Sequence, residues 1–327
     1  MKNIKLFQTF VLILASLMTA SAQDTAPDSS WTVDGYGSAT LNQVSFTNWA
    51  QGGDNSVSFT LIGLMNAKYA KERHHWDNYA SLLIGVIRTK EFGVRKNDDK
   101  LELETKYGYD LNNKKTVSLS LLSNFRSQFA NGYNYPDDST VISKFAAPGY
   151  LTLALGIDWK PVSYFSLFIS PVTGRVLLVT DPDIANTGIY GNDAAVYDSI
   201  GNIVTEGDKV RFDFGALVSA KLNKEVIKNV TVVSKFDLFS NYLGDTKESR
   251  MVDVNWETGV LFKVNDWLAA SLSLTLLYDK EIKIAKDDND NGTIEADEIK
   301  DRVQFKEALG VGLSYKFNNN KRTGREK

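Results

Sequence analysis

Residues 252–264 read VDVNWETGVLFKV, and the spacing within them decides the fold. Val252, Val254, Trp256, Thr258, Val260, Phe262 and Val264 fall on one face. Asp253, Asn255, Glu257, Gly259 and Lys263 fall mostly on the other. A period of two belongs to a β-strand; an amphipathic helix would place apolar residues at i, i+3, i+4 and i+7. The next two segments repeat the pattern. In 268–278 (LAASLSLTLLY), Leu268, Ala270, Leu272, Leu274, Leu276 and Tyr278 oppose Ser271, Ser273 and Thr275. In 303–317, Val303, Phe305, Leu309, Val311, Leu313, Tyr315 and Phe317 are in phase, and Glu307 is the one charged exception.

The same signals upstream bring the total to about 12 strands. The expected ranges are 34–46, 56–70, 75–89, 100–110, 116–130, 149–160, 163–170, 209–222, 229–242, 251–264, 267–282 and 302–317. Val176 to Thr180 as a further strand leaves a count of 14 open. Tight connections (72–74, 112–114, 160–162, 223–228, 265–266) alternate with long ones (47–55, 90–99, 131–148, 171–208, 243–250, 283–301). Short turns on one rim and long loops on the other describe an all-β fold, an antiparallel transmembrane β-barrel with short periplasmic turns and long extracellular loops. Periodicity alone leaves the outward face open, since a soluble barrel alternates in the same way. Three features turn the apolar face toward lipid. Aromatic residues gather near strand ends (Trp31, Trp49, Trp76, Trp159, Trp267), the opposite face carries charges of both signs, and Gly312 to Phe317 resembles a barrel-insertion signal, although ten further residues follow it.

Composition narrows the classes. The chain has 327 residues, 43% hydrophobic and 24% charged, with a net charge of −3, two histidines and no cysteine. A near-neutral chain has no basic field to attract nucleic acid, and without cysteine there is neither a disulfide nor a thiolate metal site. Residues 1–22 carry Lys2 and Lys5, an apolar stretch and a terminal Ala20-Ser21-Ala22, the pattern of a signal peptide cleaved near Ala22. The expected organisation is signal peptide 1–22, disordered lead-in 23–30, barrel 31–317 and basic tail 318–327. The expected location is the outer membrane.

Six stretches carry a resemblance: LNQVSFTNWAQGGDNSVS (41–58), SKFAAPGYL (143–151), ISPVTGR (169–175), LFSNYLG (238–244), VDVNWE (252–257) and QFKEALGVGLSYKF (304–317). They resemble a domain-of-unknown-function family of outer-membrane β-barrel proteins from Bacteroidota. The resemblance implies the barrel and its location, with the lipid bilayer and the barrel-insertion machinery as partners. It carries over no catalytic or ligand residue.

Little in the chain suggests catalysis. His74 and His75 are adjacent in an expected turn, and neighbours on a strand point to opposite faces, so at most one joins any site. No enzyme activity is expected. The most specific local signal is Asp287 to Glu298, which fits the calcium-loop pattern D-x-[DN]-x-[DN]-G-x₅-E. Asp287, Asn289, Asn291, Thr293 (through its carbonyl), Glu295 and Glu298 are the expected Ca2+ ligands, with strands rather than helices flanking the loop. Trp49, beside Gly52 and Gly53, reads as an interfacial aromatic followed by a glycine turn rather than a stacking platform. The expected lumen face holds Glu102, Glu104, Asp213, Asp237, Asp253, Glu257, Lys106, Arg126, Arg211, Lys221, Lys235, Lys263, Arg302 and Lys306. Mixed charge suits ion pairing as well as conduction.

The leading expectation is a narrow channel for small polar solutes. The alternative is a non-conducting barrel whose calcium-ordered extracellular loops bind a partner or glycan. An outer-membrane hydrolase ranks third.

Overall fold

Each long strand of the computed structural model turns its apolar residues to the outside of a closed ring. The structure describes residues 30–44, 56–90, 92–135, 137–243, 252–289, 291 and 293–318. The leader 1–22, the lead-in through residue 29, the Trp49 loop, Gly292 and the tail beyond residue 318 lie outside the described residues. Packing divides the chain into Met1–Trp31, almost all of it outside the described residues, and Thr32–Lys327, which forms the barrel.

The barrel strands are β1 (Trp31–Val44), β2 (Ser56–Lys71), β3 (His74–Thr89), β4 (Gly93–Asp110), β5 (Val117–Ser127) and β6 (Gly149–Val162). They continue as β7 (Phe165–Leu178), β8 (Val210–Ile227), β9 (Val230–Asn241), β10 (Val252–Lys263), β11 (Leu268–Tyr278) and β12 (Gln304–Asn318). Each lies beside its neighbours in sequence, and β12 returns to β1, closing a twelve-strand antiparallel ring. Twelve is therefore the count. No helix among the described residues is long and apolar enough to cross a membrane.

The expected orientation of the two faces holds. Leu119 and Leu121 on β5, Leu153, Leu155 and Ile157 on β6, and Leu309, Val311 and Leu313 on β12 are exposed on the outer wall. On the same strands and their neighbours Ser118, Ser120, Asp158, Glu102, Glu104 and Lys106 are buried. Exposed Trp76, Tyr107, Tyr109, Trp159, Tyr164 and Trp267 ring the short-turn end, with Trp256 and Tyr242 near the other. A closed ring with an even strand count, an apolar outer band and aromatic girdles has the architecture of a transmembrane β-barrel.

Several boundaries differ from the alternation, each for a local reason. The segment Val176 to Thr180 is no separate strand, because β7 continues through it to Leu178. Ser170 is buried, Pro171 and Val172 are both exposed, and Thr173 is buried again, so the inward phase shifts by one residue. This is a β-bulge, and proline suits it because the missing N–H falls where the ladder is already interrupted. Likewise β4 begins at Gly93 rather than 100, with a register shift opposite Gly85 and Val86. At the other end of its hairpin, β8 runs on to Ile227, leaving a two-residue turn to β9. The long insertion thus narrows to residues 179–209.

Candidate functional site

The inward face carries ion pairs in three tiers along the barrel. In the middle tier, Lys100 of β4 pairs with Glu257 of β10 at 2.5 Å, and Lys235 of β9 pairs with Glu102 of β4 at 2.7 Å. In a twelve-strand ring β4 and β10 lie directly opposite each other, so these pairs cross the lumen from wall to wall. Lys235 also reaches Glu104 (3.3 Å) and Asp237 (3.6 Å), and Lys221 of β8 pairs with Glu104. Beside them Leu122, Ala154, Phe168, Leu217 and Phe239 form a buried apolar cluster on β5 to β9. Toward the short-turn end, Lys106 meets Asp158 at 2.8 Å and Lys160 bridges Asp77 (2.6 Å) and Asp158 (3.3 Å).

The third tier lies beneath the long loops. Arg175 of β7 reaches Asp253 (2.8 Å), Asp213 (3.8 Å) and Asp279 (3.9 Å), with its guanidinium 4.2 Å from the Phe239 ring centroid. Arg211 of β8 pairs with Asp213 (3.1 Å) and with Glu281 from the β11–β12 loop. The insertion 179–209 folds onto this tier. It opens with a short helix, α1 (Pro182–Thr187), whose N-cap Asp181 accepts the Ile184 N–H and pairs with Lys144. Ile184 and Ala185 pack against Leu177, Val179 and Ala147 at the rim. Tyr190 donates to the Ile142 carbonyl (2.8 Å), and Arg211 donates to the Gly191 carbonyl (2.5 Å). A Cβ on Gly191, which sits at φ +81°, would lie 2.9 Å from Glu281 Cβ. Three loops therefore meet at one latch over the mouth.

Burial pushes the Glu281 carboxyl up to about 7; Arg211 opposes the shift, while Asp213, Asp279 and Asp253 add to it. Between the ordinary carboxylate range and pH 7 the folded latch holds a proton that the unfolded chain has released. Its contribution to stability therefore falls as pH rises through that window. Glu281→Gln is expected to flatten this decline between pH 5 and 8, measured as the midpoint of thermal unfolding. An unchanged slope would assign the pH dependence to another group.

The acidic loop sits between two short strands, 283–285 and 299–301. Asp287 Oδ1 accepts the N–H groups of Asn289 (3.2 Å) and Asn291 (3.3 Å), and Asn291 Oδ1 accepts that of Thr293 (2.8 Å). The Asn291 amide reaches Glu295 at 3.5 Å. Glu298 is turned onto backbone, accepting from Asp288 (2.9 Å) and Glu295 (3.0 Å), and these N–H groups hold its carboxyl below the usual range. Hydrogen bonds from Arg302 and Lys300 hold Asp288 lower still. The loop brings the expected ligands into one turn. Among the described residues, however, no three His, Asp or Glu side chains converge as a bound metal would require.

Most of the expected lumen charges do face inward. Lys263, in register with buried Ala269, lies at the short-turn rim paired with Asp266, and Arg302 belongs to the acidic loop. Sequence reading missed Lys100, Asp77, Asp158, Lys160 and Arg175. Arg175 sits past the bulge, in what read as loop, and Lys100 stands at the edge of an interrupted alternation. The histidines separate as neighbours on a strand must: His75 faces inward to Asp110 (3.2 Å), and His74 faces outward to the Tyr107 hydroxyl (2.6 Å).

Residues 41–133 match the model of the family described as Protein of unknown function (DUF3078). No curated protein matches the chain. Among solved structures, the chain is similar to an outer membrane channel from Pseudomonas putida F1, at 12% identity over 90% of this chain and 100% of that one, with a TM-score of 0.38. It is similar to the translocator domain of the autotransporter NalP from Neisseria meningitidis, at 10% identity over 96% and 98%, TM-score 0.35. The porin NanC follows at 9% identity over 86% and 98%, TM-score 0.34.

Proposed function

We propose that this protein is an outer-membrane β-barrel, closed to solutes at rest, that presents an ordered loop surface to an external protein partner. The observation that carries the reading is the pairing of Lys100 with Glu257 and Glu102 with Lys235 across the lumen. A pore for small polar solutes needs a continuous wet path, and ion pairs joining opposite walls occupy that path. Above them the loops carry a specific surface. The hairpin 196–205 turns on Asp198, which accepts the N–H groups of Ile200 (3.0 Å) and Asn202 (2.8 Å). It exposes Val196, Tyr197, Ile200, Ile203 and Val204, and Ile200 is 82% exposed. An exposed apolar tip at the solvent end of a membrane barrel suits protein contact. Purified, correctly folded protein in planar bilayers is expected to pass no stepwise current across a range of voltages and salts. Stable unitary conductance would overturn the closed-barrel reading in favour of a narrow channel.

A second reading concerns calcium. The pattern from Asp287 to Glu298 and the gathering of Asp287, Asn289, Asn291 and Glu295 in one turn support a weak cation site that orders the loop rim. On binding, Glu298 would exchange its two backbone N–H groups for the ion. Millimolar calcium is then expected to protect residues 283–301 from protease in the parent protein, but not in Asp287→Ala or Glu298→Ala. Cleavage indifferent to calcium in the parent protein removes the site.

A further inference from the structure

The outer wall is not apolar everywhere. Across β2 to β5 one row of outward residues is small or polar: Ala67, Asn78, Thr105 and Ser123 are successive partners in the ladders. The row on its short-turn side is Tyr69, Trp76, Tyr107 and Leu121, and the row on its long-loop side is Met65, Ala80, Leu103 and Phe125. Short side chains between longer ones leave a hollow of about 350 Å³, lined by Met65, Asn78, Leu103, Thr105, Ser123 and Phe125 among others. That volume is at the small end of ligand sites.

The floor of the hollow is a chain of hydrogen bonds. Trp76 Nε1 donates to Thr105 Oγ1 (2.6 Å), Thr105 donates to Asn78 Oδ1 (2.8 Å), and the Asn78 amide donates to the Ala67 carbonyl (3.3 Å). These bonds fix the Asn78 amide, which carries a second N–H, and Ser123 adds a hydroxyl beside it. Donors on a lipid-facing wall are costly unless something accepts from them. Hydrocarbon offers no acceptor, whereas the ester carbonyls of a phospholipid do.

The two turns that end the same strands are basic. Lys71, Arg73, Lys114 and Lys115 are exposed there, against one acid, Glu72. The Arg73 guanidinium donates to the Asn113 side chain (3.2 Å) and the Asp110 N–H to the Arg73 carbonyl (2.7 Å), so the turns form one surface. Exposed Trp76, Tyr107 and Tyr109 fill the wall between turns and hollow. From Met65 to Lys71 β2 runs six residues, about 20 Å along the strand. At a barrel tilt of about 40° this is about 15 Å of depth, one leaflet.

We propose that this face of β2 to β5 holds one anionic phospholipid of the leaflet that meets the short turns. Its phosphate lies against Lys71, Arg73, Lys114 and Lys115, an ester carbonyl accepts from Ser123 and Asn78, and one acyl chain fills the hollow beside Met65, Leu103 and Phe125. The order along the wall, cationic, aromatic, polar and then apolar, follows such a lipid from phosphate to chain. A second copy meeting the same face would set cationic turns against cationic turns. The proposal rests on the membrane placement argued above and is independent of whether the lumen conducts.

The test is native mass spectrometry of the full chain, delipidated in detergent and titrated with phosphatidylglycerol or with phosphatidylcholine of the same acyl chains. One phosphatidylglycerol is expected to bind saturably, and phosphatidylcholine more weakly. Lys114→Gln with Lys115→Gln is expected to weaken phosphatidylglycerol about fivefold per lysine and to leave phosphatidylcholine unchanged. Lys224→Gln with Lys228→Gln, the same charge change at the β8–β9 turn, is expected to alter neither. Ser123→Leu, which fills the hollow and removes the hydroxyl, is expected to weaken both lipids about tenfold. Ser123→Ala, a milder change should the leucine variant fail to fold, is expected to weaken both about fivefold. Equal binding of the two lipids, or equal losses from the two lysine pairs, would mean unselective boundary lipid and overturn the site. A dimer that Ser123→Leu dissociates would assign the face to a second copy and overturn it as well. Protein that stays monodisperse without detergent would instead sink the membrane placement, whatever the lipids do.

Discussion

Lys235→Met is expected to destabilise the folded barrel by about 3–5 kcal/mol, the cost of removing one partner from a buried ion pair. The lysine serves Glu102 (2.7 Å), Glu104 (3.3 Å) and Asp237 (3.6 Å) at once. Without it three carboxylates face one another, with Lys100, Lys221 and Arg126 left to offset them. The measurement is urea unfolding in lipid vesicles, read by the gel mobility of folded and unfolded barrel. Adding Glu102→Gln should recover part of the loss, because it removes a charge left uncompensated by the first change. The size of the effect also tests the functional reading. A loss below about 1 kcal/mol is what a solvated surface pair gives, and it would mean that water fills the middle tier. The lumen would then be open and the closed-barrel proposal wrong.

Leu155→Arg tests the opposite face. Leu155 lies at the centre of β6, pairs with Leu121 of β5 and is exposed on the outer wall. An arginine on the lipid face costs about 2–4 kcal/mol near the bilayer midplane and little near the interfaces. The matching control is Ile157→Arg, one exposed position nearer the short-turn end, where the loss should be smaller. Equal and negligible losses at both positions would mean that this wall faces water. That single result would invert the inside and outside of the molecule.

Much of the architecture was legible in the residues because a β-strand writes its two faces locally. The alternation in 252–264 needs no knowledge of distant neighbours, and β10 runs Val252–Lys263. Legibility failed where the local code was interrupted. At Pro171 and Val172 a bulge shifts the inward phase, so Arg175 read as loop although it anchors the outer tier. The acidic loop was legible as a pattern, yet its geometry was not. The sequence placed Glu298 at a ligand position, and the fold turns it onto the backbone of Asp288 and Glu295.

From the sequence alone came the strand alternation, twelve segments with short and long connections in turn, and the segregation of greasy and charged faces, all properties of residues close together in the chain. Only the tertiary structure decided which charges meet. Glu102 and Lys235 stand 133 residues apart, and they touch because ring closure sets their strands on facing walls. Closure also joined the first strand to the last, with Asp34 to Thr40 opposite Asn318 to Gly312. Both outcomes follow from how twelve strands share one circumference, a quantity that no single strand encodes.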